Sequence, residues 1–475
     1  MDKSNINQLV QELKRYGQEH ILQFFDQLDE QQQQVLLHQV NEIDFKLLEY
    51  CRSLLQNKQQ TGQYVPGTLQ PLQVIELPKT PEEIAGVDRA RACGEQTIAQ
   101  GKVAVMLVAG GQGTRLGYDG PKGTFPVGPV TGRTLFQYHT EKILALERRL
   151  QTVIPFYIMT SELNYSQTTE FFAQKQFFGK DRETILFFRQ GMLPALSDGG
   201  KMFLEEKGKL SVAPDGHGGL LRAMFKNQIL EDMEKRGIEY IFYFQVDSPL
   251  TRVCDPVFIG NHVLKGAEMS AKTVYKSDPY EKLGNIGQVN GKNVVIEYTE
   301  LSEQEMEARN ADGRLVFGQG SIAIHVFNVS FLRRLKDENI SLPYHLAHKK
   351  IPWIDAFGNQ EKPEKPNGYK FEQFIFDALP FAETIMVQET DRKQDFSPIK
   401  NKEGQDSPEQ ARQDLENLFG SWLEKAGIPV KRDKAGNVLD VIEISPLVAM
   451  NEKEFLERHP EPQTITGGYL YDKVG

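Results

Sequence analysis

A chain of 475 residues is long enough for two or three domains and a large core, and a quarter of its residues are charged, as in an ordinary soluble protein. Its formal net charge of −10 argues against a general nucleic-acid surface, while local Arg and Lys can still hold an anionic small molecule. Only Cys51, Cys93 and Cys254 are present, too sparse and odd a set for a disulfide framework. The start is charged rather than apolar, and no run reaches the roughly 18 apolar residues of a membrane span, so a cytoplasmic protein without a membrane partner is expected.

In chain order, residues 1–55 predict helices. Leu9, Val10 and Leu13, then Ile21, Leu22, Phe25 and Leu28, recur at three- and four-residue steps, and Gln31 to Gln34 open another helix. Residues 57–80 read as a connecting arm, and Pro81-Glu82-Glu83 begins a helix. From residue 100 onward, β-rich runs (153–159, 184–188, 240–246, 293–298, 321–327) alternate with helical ones (135–149, 167–176, 220–236). This alternation predicts an α/β fold, a mostly parallel Rossmann-like sheet with helices on both faces and ligands at the carboxyl ends of strands. A Pro/Lys-rich stretch (361–368), an apolar segment (371–379) and a polar loop (394–408) follow, then a helix over 409–425 and a few strands. The expected division is an N-terminal helical arm (1–95), a central α/β domain (96–385) and a small α+β domain (386–475). No internal repeat is visible.

The apolar run Val103–Ala109 breaks into Gly110-Gly111-Gln112-Gly113, then Thr114-Arg115-Leu116-Gly117, with Lys122 just beyond. Glycines let a backbone approach a phosphate chain and aim consecutive N–H groups at it. A helix starting after the loop would add its positive end, and Arg115 and Lys122 supply cations for a triphosphate. The spacing of Gly111, Gly113 and Gly117 is one residue longer than the dinucleotide fingerprint, which disfavours a dehydrogenase. Lys122-Gly123 also lacks the P-loop spacing.

Asp247 ends a second apolar run, Ile241–Val246. A carboxylate there suits Mg²⁺ carried by a nucleotide, although Asp-Ser-Pro is also a common turn start. Residues 211–219 form a second glycine-rich loop whose backbone can lie against a base or a sugar, and the Gln190 amide can donate to and accept from a pyrimidine edge. On local sequence alone, Lys370 and Lys400 read as solvated surface charge. His345 and His348, three apart and without nearby Cys or acidic residues, read as structural. No nucleophile elbow is present, and nucleotidyl transfer needs none, because positioning and charge neutralisation carry it.

The string LVAGGQGTRLG…PKG resembles the signature of UDP-N-acetylhexosamine pyrophosphorylases. RQGMLPAL, VAPDGHGGLLRA, QVDSPL, VIEYTELS, DGRLVFGQGSIA, KKIP, KPNGYKFEQFIFD and DFSPIKN resemble further family blocks in the same order, over residues 75–405. The resemblance implies a uridylyltransferase that joins UTP and a sugar 1-phosphate into a UDP-sugar and pyrophosphate, with Mg²⁺. Carried over position by position, Val108, Ala109, Gly110 and Gly111 hold the nucleotide, and Arg115 and Lys122 neutralise the departing phosphates. Gln190 and Gly216 read the uracil, Asp247 binds the metal, and Glu297 and Tyr298 contact the sugar. Lys370 and Lys400 reach phosphates.

Two positions depart from the acetylhexosamine pattern. His217 and Ser321 stand where that pattern has Asn, and His217 resembles the G-H-G of UDP-glucose pyrophosphorylases. N-acetylglucosamine 1-phosphate is the expected substrate, with glucose or galactose 1-phosphate as the alternative. A catalytically silent UDP-sugar sensor is a third reading; loss of Arg115, Lys122 or Asp247 would signal it, and none is lost. Monomer and homodimer both stay open.

Overall fold

Val103–Val108 is a buried strand inside a ten-stranded sheet. Its side chains leave no polar face, as expected for a strand covered on both sides. It pairs in parallel with Tyr240–Gln245 on one side and Phe156–Thr160 on the other, and Ile185–Arg189 extends the parallel set. Beyond Tyr240–Gln245, the long strand Gln319–Asn328 runs antiparallel and pairs with Met269–Tyr275 and Asn285–Val289. Val103–Val108 and Tyr240–Gln245 therefore end side by side, which fixes where a ligand of the sheet would sit.

The computed structural model describes residues 3–56, 68–458, 460–465 and 468–472, so the expected connecting arm lies outside the described residues up to 67. Its remainder is not merely a linker: Leu69–Gln70 pairs with Asn285–Val289, and Ile75 bridges Gln388. Contacts divide the chain into two compact units, each made of three separate stretches, where a division into three consecutive stretches was expected.

The sheet belongs to the unit spanning 66–189, 223–340 and 378–475. Its core gathers Phe136, Phe242, Phe244 and Phe258 with Phe419 and Trp422 of the helix Pro408–Lys425, so the C-terminal stretch shares this core. Buried Glu443 seals the join, accepting from the amides of Val130 and Thr131 at 2.8 Å each and from Arg133 Nη1 at 2.8 Å. The helices Pro81–Ala99 and Pro256–Lys265 cross at glycines: a Cβ on Gly260 would fall 1.7 Å from the Ala90 carbonyl oxygen, and one on Gly94 1.9 Å from that of Pro256. The helix expected over 220–236 is two helices, Leu220–Lys226 and Ile229–Lys235, broken at Gln228, whose φ of 55° is left-handed.

The other unit joins residues 1–65 to 190–222 and 341–377. The helices Lys3–Arg15, Glu30–Asn41 and Phe45–Gln56 form within the stretch expected to be helical, the second opened by a capping box on Asp29, whereas the run from Ile21 to Leu28 folds as two short 3-10 turns, Glu19–Leu22 and Phe25–Gln27. Leu13, Ile21, Leu36 and Leu48 pack in one cluster with Leu196, Leu204 and Phe371. Buried Gln18 locks the join, donating to the Gly200 carbonyl at 3.0 Å and accepting from the Met202 amide at 2.9 Å. Among the described residues, no helix is long and apolar enough to cross a membrane.

Candidate functional site

Two sets of candidate residues lie in different units. The larger set sits at the carboxyl ends of the Val103–Val108 and Tyr240–Gln245 strands. The glycine loop after Val108 is closed on itself, with the Gly113 amide donating to the Gly120 carbonyl at 2.9 Å and the Lys122 amide to the Gly111 carbonyl at 3.0 Å. A residue that the sequence reading passed over holds it from behind: the buried Asn164 amide donates to the carbonyls of Ala109 at 2.9 Å and Gly111 at 3.3 Å. Gly111 is exposed, with open space where a Cβ would stand. No long helix follows. Thr114–Leu116 is a single 3-10 turn ended by Gly117 at φ 70°, so the expected helix dipole does not contribute here.

Lys122 Nζ lies 3.5 Å from Asp247 Oδ2, and both side chains are less than a fifth exposed. Arg115 is exposed and makes no ion pair among the described residues. The Asp247 carbonyl accepts from the Ile399 amide at 2.9 Å, which brings the segment carrying Lys400 to the same place. Lys400 donates its amide to the Asp406 carbonyl at 2.7 Å. Burial raises the Asp406 carboxyl above the usual range, with Lys400 opposing the rise and Asp247 adding to it. Asp406 is thus a second acid beside Asp247 that no local motif announced.

These loops rest on a buried ion cluster. Lys272, fully buried, donates to Asp255 Oδ2 at 2.8 Å and to Asp395 Oδ2. Asp395 also accepts from the Arg252 amide at 2.7 Å, joining the segment after Asp247 to the one before Lys400. Burial acts to raise the Asp255 carboxyl, but Arg252 and Lys272 beside it hold it down at about 2.

Three of the sugar candidates lie on or just past the strands Gln319–Asn328 and Lys292–Ile296, both of which pair with Asn285–Val289. The Ser321 amide donates to the Gly284 carbonyl at 2.8 Å, and Glu297 Oε1 lies 3.6 Å from where a Cβ on Gly284 would stand. The Ser321 hydroxyl is buried and has no hydrogen-bond partner among the described residues. Tyr298, next to Glu297, is half-buried just past the Lys292–Ile296 strand. Burial lowers the Lys276 ammonium, with Glu281 and Glu297 opposing the fall.

Gln190, Gly216, His217 and Lys370 sit in the other unit. Gly216 has φ 82°, and the Gly218 amide donates to the Gln373 carbonyl at 2.8 Å. His217 Nδ1 accepts from the Ile375 amide at 3.2 Å, and its ring stacks on Phe374. Lys370 lies half-buried in the strand Gly368–Glu372 and makes no ion pair among the described residues. His345 does have an acidic partner that the sequence hid, Asp377 at 2.8 Å, and His348 stacks on Tyr369.

The arrangement of glycine loop, Lys122 and Asp247 suits a phosphate chain with a cation. Among the described residues no group of three His, Cys, Asp or Glu gathers as a ready-made metal cage. That donor set fits Mg²⁺, which commonly takes one or two carboxylates and draws its remaining ligands from substrate phosphates and water.

Comparison with known proteins gives the lineage. The family model described as UTP--glucose-1-phosphate uridylyltransferase matches residues 48–406. The chain is 39% identical over 487 residues to the UDP-N-acetylhexosamine pyrophosphorylase-like protein 1 of Xenopus tropicalis, covering 94% of each. It is 38% identical over 443 residues to the UDP-N-acetylglucosamine pyrophosphorylase of Saccharomyces cerevisiae, covering 87% of this chain and 90% of that one. The crystal structure of the uridine diphosphate N-acetylglucosamine pyrophosphorylase from Trypanosoma brucei, in complex with an inhibitor, superposes with a TM-score of 0.81 at 26% identity. That match covers 96% of this chain and 95% of the other. With three-quarters of its length matched by the model and close relatives along nearly all of it, the chain belongs to the family of UTP–glucose-1-phosphate uridylyltransferases.

Proposed function

We propose that the protein transfers uridylyl from UTP to N-acetylglucosamine 1-phosphate, giving UDP-N-acetylglucosamine and pyrophosphate. The observation that carries the reading is the Lys122–Asp247 pair beside the glycine loop, at the ends of two adjacent parallel strands, in a chain whose relatives bear pyrophosphorylase names. A phosphate oxygen of the sugar phosphate attacks the α-phosphorus of UTP. The bond from that phosphorus to the β-phosphate bridging oxygen breaks, and pyrophosphate leaves with the electron pair. Val108 to Gly111 present backbone to the phosphates, and Arg115 and Lys122 offset charge on the leaving group. Lys370 and Lys400 serve further phosphate oxygens.

Asp247 would hold Mg²⁺, which supplies charge neutralisation to bound phosphates. Gln190 and Gly216 read the uracil; Glu297, Tyr298 and Ser321 are the sugar candidates of the sheet-bearing unit, and His217 is that of the other. The three free cysteines support a cytoplasmic setting. Glucose or galactose 1-phosphate is the second reading, favoured by the Ser321 hydroxyl, which has no hydrogen-bond partner among the described residues where an amide is expected to meet an acetamido sugar. Pyrophosphate release from UTP with a panel of sugar 1-phosphates tests both.

A further inference from the structure

Asp215 opens the Gly216–Gly219 turn and has no exposed surface. Neither of its carboxyl oxygens has a hydrogen-bond partner among the described residues. Groups this deeply buried are nearly always paired, so an unpaired one calls for a reason. The surroundings supply it. A Cβ on Gly191 would fall 2.2 Å from Oδ2, and a Cβ on Gly219 would fall 2.0 Å from Oδ1. The carboxyl is therefore wedged between two backbones that only glycine allows so close.

Its main chain joins the same segments. The Asp215 amide donates to the Gly191 carbonyl at 3.1 Å, and its carbonyl accepts from the Gln373 amide at 2.8 Å. We propose that Asp215 is a positioning residue for the uracil, its carboxyl setting the spacing between the Gln190–Gly191 loop and the Gly216–Gly219 turn. The proposal rests on the reading that Gln190 and Gly216 receive the base.

The charged and titratable groups around it are few. Arg222 lies on the following helix, with Nη1 3.4 Å from the Tyr344 hydroxyl, and Cys51 neighbours that hydroxyl. Burial pushes the Asp215 carboxyl up to about 7, with Arg222 opposing the rise. The neutral acid occupies the wedge below that pH. Above it, a charge offset only by Arg222 and by its own backbone amide is forced between the loops, and such a charge is strongly disfavoured in a buried site.

The test compares the full-length protein with Asp215→Asn, which keeps the shape and cannot ionise. UDP-N-acetylglucosamine is the probe, since its diphosphate does not titrate near neutrality. Between pH 5.5 and 8.5 the wild-type affinity falls about tenfold further than that of Asp215→Asn, the effect of a coupling worth one pKa unit. Parallel pH curves for the two proteins would overturn the proposal. So would a flat affinity beside a pH-dependent difference in melting temperature, because that marks a structural role only. Failure of UDP-N-acetylglucosamine to bind at any pH would overturn the assigned function and the proposal with it, whereas parallel curves with binding intact overturn the proposal alone. If Asp215→Asn does not fold, Asp215→Thr, which likewise cannot ionise, takes its place, and a pH curve parallel to that of the wild type again refutes the wedge.

Discussion

The Lys122 ammonium sits 3.5 Å from the Asp247 carboxylate, although 125 residues of chain separate the two positions. Lys122 follows the strand Val103–Val108 through the glycine loop, and Asp247 follows Tyr240–Gln245, its parallel neighbour. The sheet thus delivers a cation and an anion to one place, where a nucleotide triphosphate would take the cation and a metal the anion. On the proposed mechanism, replacing either by alanine removes a charge that acts on the phosphates. Lys122→Ala and Asp247→Ala should each lower turnover by about two to three orders of magnitude and leave the melting temperature close to wild type. Steady-state pyrophosphate release alongside thermal melting checks this, and a near-normal rate removes that residue from the mechanism.

The Lys272 cluster makes a different prediction, because it touches no substrate. Lys272→Met leaves Asp255 and Asp395 buried beside each other without their shared cation. Breaking a buried pair in this way costs about 3–5 kcal/mol. Urea unfolding should show that loss, and turnover should fall too, since Asp395 holds the Arg252 amide behind the Asp247 segment. Unchanged stability would mean that the cluster is not a support.

The helix crossing is open to a minimal change. Gly260→Ala places a methyl group where the Ala90 carbonyl already lies, 1.7 Å away, so the two helices must part. Overpacking of this kind costs about 1–3 kcal/mol. Denaturant midpoints of the variant and the parent decide it; an equal midpoint would show that the helices move apart freely.

His139, His262 and His325 are buried, and burial lowers their pKa values to about 3, 4 and 4. In the unfolded chain each binds its proton near pH 6.5. Below that pH the unfolded state holds more protons than the native one, so the stability these neutral rings allow is present above about 6.5 and lost as the pH falls toward 4. Each contributes up to about 1.4 kcal/mol per pH unit within that window. Unfolding free energies at pH 7 and pH 5 should differ less in His139→Phe than in the parent, and an unaltered difference would take His139 out of the account.

Sugar choice should follow the two departures. His217→Asn and Ser321→Asn are each expected to raise the ratio of kcat/KM for N-acetylglucosamine 1-phosphate over that for glucose 1-phosphate, by about ten- to a hundredfold. A ratio unmoved by both would show that neither position sets the preference.

The sequence announced the parts whose signals are continuous. The buried run Val103–Val108, the glycine loop and Asp247 at the end of another apolar run all lie in short stretches, and the parallel pairing places their ends together. Asn164, Asp406 and Lys272 were not legible, because each acts through partners remote in sequence and nothing in its own neighbourhood differs from an ordinary surface or core residue. The helical dipole was expected after the glycine loop, but Gly117 turns left-handed after one 3-10 turn. The break at Gln228 was hidden for a similar reason, since glutamine rarely adopts that backbone and the apolar spacing runs on through it. The units escaped a linear reading because 190–222 and 341–377 leave the sheet to join the N-terminal helices.

Uridylyl transfer to an acetamido sugar phosphate is measured as pyrophosphate release from UTP and Mg²⁺, with N-acetylglucosamine, glucose and galactose 1-phosphates assayed in parallel. Release is expected with all components present, highest for N-acetylglucosamine 1-phosphate, and about two to three orders of magnitude slower in Lys122→Ala. Release chiefly with glucose or galactose 1-phosphate would contradict the sugar assignment, and no release with any sugar, while UTP still binds, would contradict the claim that the protein is a working uridylyltransferase.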